Sequence, residues 1–406
     1  MKDTPVFSRY QIFMIAILAI IQFTVVLDFM VLSPLGPFLM KDLNLPTSQF
    51  SLVVSSYAFS AFVSSIATAG FADKFDRKRL LVVFYSGFIL GTLCCAMAPT
   101  YELLMAARIV TGLFGGVIIS IAYAIISDLF SMETRGRVTG FVQMSFAASQ
   151  ILGIPLGLFL ANTYNWHFPF YTIVGFSLLP VTCILIFMKP ITAHLAANRD
   201  RNAFAHLWST LSNKRYLRGF MATTLLATGG YMLMPFGSAF ATKNMGISID
   251  DLPLLYAITG VFSIVFGPII GKLSDQYGKM RLFTIGTAIS IFFVVTYTQL
   301  GITPLWLAIL LNVLLFIGIS SRMISATALM TAVPSPQDRG AFMSLNSAVS
   351  QLSGGISSTL AGMIVSNATD GHILHYPVLG LVVCCTMLIA LALMFRLNKT
   401  IRSSAN

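Results

Sequence analysis

Three ionisable side chains, Asp28, Arg108 and Arg322, stand inside long apolar stretches. At the centre of a membrane-crossing helix such a residue costs roughly 2.5–3.5 kcal/mol, so it faces the interior and finds a partner. Asp28 and Arg108 have opposite charges. Asp28 lies 10 residues before Phe38 and Arg108 lies 8 after Thr100, where their stretches end. At ~1.5 Å per residue these depths agree within a turn. Burial disfavours an ionised carboxyl and a neighbouring guanidinium favours it. A carboxyl held between those pressures can take and release a proton as its surroundings change, which makes Asp28, with Arg108, the candidate proton-coupling pair. A permanent pair that orders the helices, or an Asp28 that touches only a bound molecule, would use the same residues. Arg322 has no such match, because no Asp or Glu lies in the apolar stretches of the second half. Helix carbonyls, Asn312, Asn346 or Gln351 could accept from it. An anionic group on a bound molecule could also serve, as could Asp28 across a shared cavity.

The elements that must position these groups are long and apolar. Hydrophobic residues make up 56% of the 406-residue chain and charged residues 10%, against about 25% charged in a soluble domain. Twelve stretches reach the ~20 residues that a helix needs to cross ~30 Å of hydrocarbon. They lie near 10–38, 49–70, 80–98, 101–127, 137–161, 167–188, 216–241, 253–274, 281–300, 304–332, 341–366 and 376–395. The expected fold is an all-α integral membrane protein with twelve transmembrane helices.

The net charge of +11 reports topology. If the N-terminus is cytoplasmic, 21 of the 25 Lys and Arg fall in loops and ends on that side. Lys41 and Lys243 fall opposite, and the remaining two are Arg108 and Arg322. This bias implies cytoplasmic N- and C-termini and contact with anionic lipid headgroups of the bilayer. It leaves no role for nucleic acid. The first stretch is too long for a cleavable signal and contains Asp28. Cys94, Cys95, Cys183, Cys384 and Cys385 all lie in apolar stretches, as packing residues do, and no Cys/His spacing fits zinc. No Walker A sequence, nucleophile–base pair or metal cluster appears, so neither an enzyme nor a direct ATP-driven pump is expected. No cofactor is expected either.

The chain repeats itself at half-length. Asp73-Lys-Phe-Asp-Arg-Lys-Arg79 returns as Asp275-Gln-Tyr-Gly-Lys-Met-Arg281, an offset of 202. Arg135-Gly136 returns as Arg339-Gly340 at 204, and Gln150-x-x-Gly153 as Gln351-x-x-Gly354 at 201. Matches at nearly one offset define two parallel six-helix pseudo-repeats. The expected domains are 1–189 and 216–406, joined by a cytoplasmic linker at 190–215. Phe204, Leu207, Trp208 and Leu211 could make part of that linker an amphipathic surface helix.

These features resemble the major facilitator superfamily over essentially the whole chain. Its loop signature between the second and third helices is Gly-x-x-x-Asp-Arg/Lys-x-Gly-Arg-Arg/Lys. Asp73, Lys74, Arg77 and Lys78 match it, while Ala69 and Asp76 replace its glycines; the second copy keeps Gly271, Asp275, Gly278 and Lys279. In the family this hinge helps hold the inward side closed. The resemblance therefore implies gating roles for Asp73, Arg77, Asp275 and Lys279. Asp73 would sit at the start of the eleventh helix near Arg339, where the helix dipole favours an anion. Asp128 would pair with Arg77. Arg108-Ile-Val-Thr-Gly112 resembles the Arg-x-x-x-Gly pattern of proton-coupled members, and the sequence around Asp28 resembles the first-helix motif of drug–proton antiporters. In the fifth helix Gly153, Pro155 and Gly157 partly match the antiporter Gly-x-x-x-Gly-Pro-x-x-Gly-Gly, with Ser149 in place of a Gly and the Pro displaced by one. Small residues and Pro there would let the fifth and eighth helices approach and bend as a gate.

Gln22, Gln143, Met144, Tyr231, Met234, Arg322, Asn346 and Gln351 are the candidate substrate contacts along a central cavity. Packing or lipid-facing roles would suit the same residue types. The resemblance implies a proton-driven exporter of amphipathic small molecules, working as a monomer in the plasma membrane, the inner membrane if the source is bacterial. A proton-coupled carrier of a metabolite or organic anion is the second reading, and a non-transporting membrane sensor or scaffold the third.

Overall fold

The computed structural model describes residues 7–69, 74–192, 195, 209–330, 333–334, 339–368 and 371–403. Each apolar stretch becomes a helix whose ends fall at cap or proline signals. Helix α1 (Arg9–Val31) opens with a capping box, Ser8 accepting from the Gln11 amide and the Gln11 side chain returning to the Ser8 amide. The first stretch then breaks. Residues 32–35 form a turn before the short α2 (Gly36–Asp42). Pro34 and Pro37 lack amide donors, so one helix across this segment would leave carbonyls unpaired. Next come α3 (Thr47–Ala69), α4 (Arg77–Met97) and α5 (Tyr101–Leu129). The fifth span runs through α6 (Met132–Ala148), a π-helical turn at Ser149–Gly153, and α7 (Ile154–Thr163); α8 (Phe168–Phe187) follows.

The second half contains α9 (Lys214–Lys243), α10 (Leu252–Tyr277), α11 (Lys279–Thr298), α12 (Leu305–Met330), α13 (Arg339–Ile364) and α14 (Tyr376–Ser403). A two-stranded hairpin, β1 (Ser366–Asn367) with β2 (Ile373–Leu374), joins the last two. These helices make twelve spans. Ten are apolar enough to cross a membrane by composition alone. The other two, α9 and α13, have more hydroxyl, amide and glycine residues, and they pack mainly on each other, on α3 and on α14.

Pairing is the same in both halves. In the first, α5 packs on α3 and α4, α1 on α6 and α8, and α4 on α8. In the second, α12 packs on α10 and α11, α9 on α13 and α14, and α11 on α14. Position for position these are equivalent spans, as two parallel repeats require. Between halves, α3 meets α13, and α7 with the π-turn meets α10. These two contacts exchange under the same pseudo-two-fold. The end at which α1 begins and α14 finishes is the near end below, and the opposite end the far end.

Glycines set how closely the helices approach. A Cβ on Gly112 of α5 would lie 2.9 Å from the Tyr57 Cα and would also strike the Ser60 hydroxyl, whereas one on Gly140 of α6 meets nothing within 4 Å. Adding one methyl should therefore have opposite effects at the two sites. Gly112→Ala should cost about 1–3 kcal/mol by overpacking, and Gly140→Ala should gain up to about 1 kcal/mol of helix propensity. Thermal unfolding of the purified variants in detergent checks both signs.

Candidate functional site

The most deeply buried charges stand where α1, α4 and α5 meet. Asp28 lies one turn before the end of α1, and Arg108 lies in the second turn of α5. Arg108 Nη1 donates to Asp28 Oδ2 at 2.7 Å, and both side chains have 0% exposure. Thr92 Oγ1 of α4 donates to Asp28 Oδ1 at 3.2 Å. The approach depends on Gly91, whose missing Cβ would sit 2.8 Å from the Thr111 amide. Arg108 Cζ lies 4.8 Å above the ring of Tyr57 in α3, and Nε and Nη2 have no acceptor among the described residues.

This arrangement has one group that can exchange a proton. Arginine stays protonated, and a threonine hydroxyl donates without ionising. Protonating Asp28 would remove the charge that holds Arg108, leaving the Tyr57 face as its nearest attraction.

From that face a row of rings leads to the other half. Phe29 lies 5.2 Å from Tyr57 and 5.8 Å from Tyr231 of α9, centroid to centroid. Tyr231 in turn covers Gly354 of α13, where a Cβ would lie 2.6 Å from its ring, and Phe59 of α3 covers Gly355 at 2.9 Å. This row places the ion pair three rings away from the contact between halves.

That contact is a seam of small residues near the far end. Ser51, Ser55 and Phe59 on α3 recur every four residues, as do Gly354, Ser358 and Gly362 on α13. Thr47 donates to the Val365 carbonyl at 2.9 Å, Ser358 to the Ser51 carbonyl at 3.3 Å, and Thr359 to Ser55 Oγ at 3.0 Å. Asn162 at the end of α7 donates to the Ile249 carbonyl at 3.0 Å. These four hydrogen bonds between the halves all lie toward this end. The sequence reading missed the seam, although the four-residue spacing of small residues on both helices was available as a signal.

The remaining candidates are dispersed. Gln22 is buried, and its Oε1 has no donor among the described residues. Met144 is 65% exposed, and Met234 and Gln351 are half-buried. The Gln143 side chain lies outside the described residues. Arg322 is buried in α12, with Cζ 5.7 Å from the Phe283 ring of α11. The two asparagines expected to accept from it bond elsewhere: Asn312 Nδ2 donates to Thr259 Oγ1 at 3.1 Å, and Asn346 Oδ1 accepts from Thr223 Oγ1 at 2.5 Å.

Asp73 lies outside the described residues, as do the side chains of Asp275 and Arg339 and residues 204, 207 and 208 of the linker. Arg77 Nε does reach Asp128 Oδ2, at 3.1 Å. Asp76, which stands where the signature has glycine, caps α4 by accepting from the Lys78 amide at 3.0 Å. It also accepts from the Ile191 amide at 2.7 Å and so ties the start of the linker to this hinge. Lys279 opens α11 directly after Gly278, whose φ of 95° favours glycine. Gly153 and Gly157 face Leu27 and Val31 of α1, not α10. The contact with α10 is instead made by Ile151, whose Cα would lie 2.9 Å from a Cβ on Gly260. The π-turn explains the difference, because an extra residue in one turn rotates the face that the helix presents. Gly267 and Gly271 of α10 have open space around them.

Two six-helix halves with the same pairing, meeting at a pseudo-two-fold, the first of them holding a buried carboxylate–guanidinium pair, define the architecture of a secondary transporter. The chain belongs to the Major Facilitator Superfamily, whose family model matches residues 18–236 and 219–406. It is 24% identical to the uncharacterized MFS-type transporter YceJ of Bacillus subtilis strain 168, over 64% of this chain and 66% of that protein. It is 23% identical to the bicyclomycin resistance protein homolog of Haemophilus influenzae, over 89% of this chain and 90% of that one. A bacterial homolog of the human lysosomal transporter Spinster, in its inward-facing and unoccupied conformation, superposes with a TM-score of 0.76 at 15% identity, covering 98% of each chain. That last likeness is one of fold.

Removing one member of a buried pair strands the other charge and costs about 3–5 kcal/mol, whereas replacing both by apolar residues costs far less. Asp28→Leu and Arg108→Leu should each lower the unfolding midpoint sharply. The double variant should be more stable than either single one, as a thermal double-mutant cycle in detergent would report.

Proposed function

We propose that this transporter is a proton-coupled antiporter that exports amphipathic small molecules by alternating access. The observation that carries the reading is the fully buried Asp28–Arg108 bond, in which a single carboxyl can take a proton. The bicyclomycin resistance name of one full-length relative supports the substrate class. So do the apolar rings at the contact between halves, Phe29, Phe59 and Tyr231.

In this reading the near end faces the cytoplasm, where 21 of the 25 Lys and Arg fall. Residues 1–189 and 216–406 rock as units about the linker at 190–215, in the plasma membrane of a bacterium. The far-end seam is then the outer closure. A substrate entering from the cytoplasm meets the ring row above it. Proton loss from Asp28 restores its full hold on Arg108, and protonation from the outer side releases Arg108 toward Tyr57. Phe29 and Tyr231 pass that shift to Gly354 and the seam. The protein works as a monomer, with the proton gradient as its energy source and no cofactor.

A carrier of a specific metabolite or organic anion is the second reading. Arg322 favours it, since a fixed cation repels cationic drugs.

Purified protein in acid-filled liposomes with a pH-sensitive dye tests the assignment. Lipophilic cations or neutral amphiphiles should trigger proton efflux with the wild type and not with Asp28→Asn. Efflux that persists in Asp28→Asn would overturn the coupling role, and a response confined to organic anions would favour the second reading. A Ser55→Cys/Thr359→Cys disulfide should block transport with the protein still open to cytoplasmic thiol reagents, and reduction should restore it.

A further inference from the structure

Arg322 lies in α12 with 4% exposure, and its Nε and Nη2 have no acceptor among the described residues. It is eight residues from the end of the helix at Met330, about 12 Å by helical rise, so it sits well within the span. Of the acids of the second half, Asp250 and Asp251 stand just before α10 and Asp275 lies in its last turn, while Asp338 and Asp370 lie outside the described residues. The ring of Phe283 offers a cation–π attraction. That attraction is smaller than the cost of burying an unpaired ion, even after relaxation. The ring therefore does not offset the burial. A water would accept a hydrogen bond but would leave the net charge in place.

A second unsatisfied group stands at the same helix crossing. Gly286 and Gly318 bring α11 and α12 together, so that a Cβ on Gly286 would lie 3.1 Å from the Arg322 amide. One on Gly318 would lie 2.8 Å from Ser290 Oγ. Ser290 is fully buried, and its hydroxyl has no partner among the described residues. The other hydroxyls at the crossing are engaged: Ser321 donates to the Ile317 carbonyl at 2.8 Å and Thr287 to the Phe283 carbonyl at 2.8 Å. The crossing thus has unmet polar groups and a full positive charge, and among the described residues no anionic group answers it. Arg108, the equivalent buried cation of the first half, has Asp28; Arg322 has the same need and no described residue to meet it.

We propose that the Arg322 guanidinium binds a small monovalent anion, either an inorganic halide or the carboxylate of a transported acid. The site goes beyond the proton coupling assigned to Asp28 and does not depend on it, since the two lie in different halves.

Thermal unfolding of the purified protein at constant ionic strength tests the proposal, with the bulky sulfonate anion of the buffer replaced stepwise by chloride, acetate or benzoate. The wild type should show a saturable rise in midpoint with at least one of these. Arg322→Gln should lose the rise and, with no stranded charge, melt higher than the wild type in sulfonate alone. A response to chloride alone identifies an inorganic ion, and one to carboxylates alone identifies a transported acid. Asp28→Asn should keep the full response, so loss of proton coupling and loss of the anion site are read separately. The proposal is overturned if the wild-type midpoint ignores anion identity, or if Arg322→Gln retains the rise. Calorimetric titration of the wild type should give one anion per chain, which tests the site without any variant.

Discussion

A charge inside a membrane-spanning bundle must be answered by another charge, and much of this structure follows from how the first half does so. Asp28 and Arg108 are far apart in sequence and meet at 2.7 Å beside α4 and α3, which close on α5 at Gly91 and Gly112. Glycine there exchanges side-chain contact for backbone proximity. Thr92 takes the second carboxylate oxygen, so the carboxyl is held on both sides while it is ionised. Loss of that ionisation would affect three helices at once.

The second half solves the same packing problem with a different charge distribution. Its helices pair as those of the first half do, and Gly286 and Gly318 make an equally close crossing of α11 and α12. Yet the acid is missing, and the arginine stands nearer the end at which α1 begins. Two bundles of one design therefore differ where charge is concerned: the buried arginine of the first is paired, and among the described residues that of the second is not. In a low dielectric that difference is worth more than most packing differences between the repeats.

The contact between halves is built from weaker parts. Hydroxyl-to-carbonyl bonds between helices contribute about 1 kcal/mol or less each in membranes. A seam of three or four such bonds over small residues can be made and broken, whereas a seam of interlocked large side chains could not. The π-turn at Ser149–Gly153 acts in the same direction, since it turns Ile151 toward α10 while Gly153 and Gly157 stay on α1.

Much of this was legible in the residues themselves. Hydrocarbon thickness and backbone hydrogen bonding leave a chain with twelve apolar stretches one architecture, and offsets near 202 residues make that architecture a repeat. The Asp28–Arg108 pair was legible too, because insertion cost and matched depth point from one charge to the other. Linear spacing could not say which face each helix presents. The π-turn shifts that face within the fifth span, so the small residues read as meeting α10 meet α1. Nor could it say that Asn312 and Asn346 would be taken by Thr259 and Thr223, leaving Arg322 without them. The sequence by itself determined the number, length and order of the helices and which charges had to be buried, since those depend on local composition and solvation. Only the tertiary structure decided who partners whom, because a hydrogen bond depends on ångström-scale positions that packing sets.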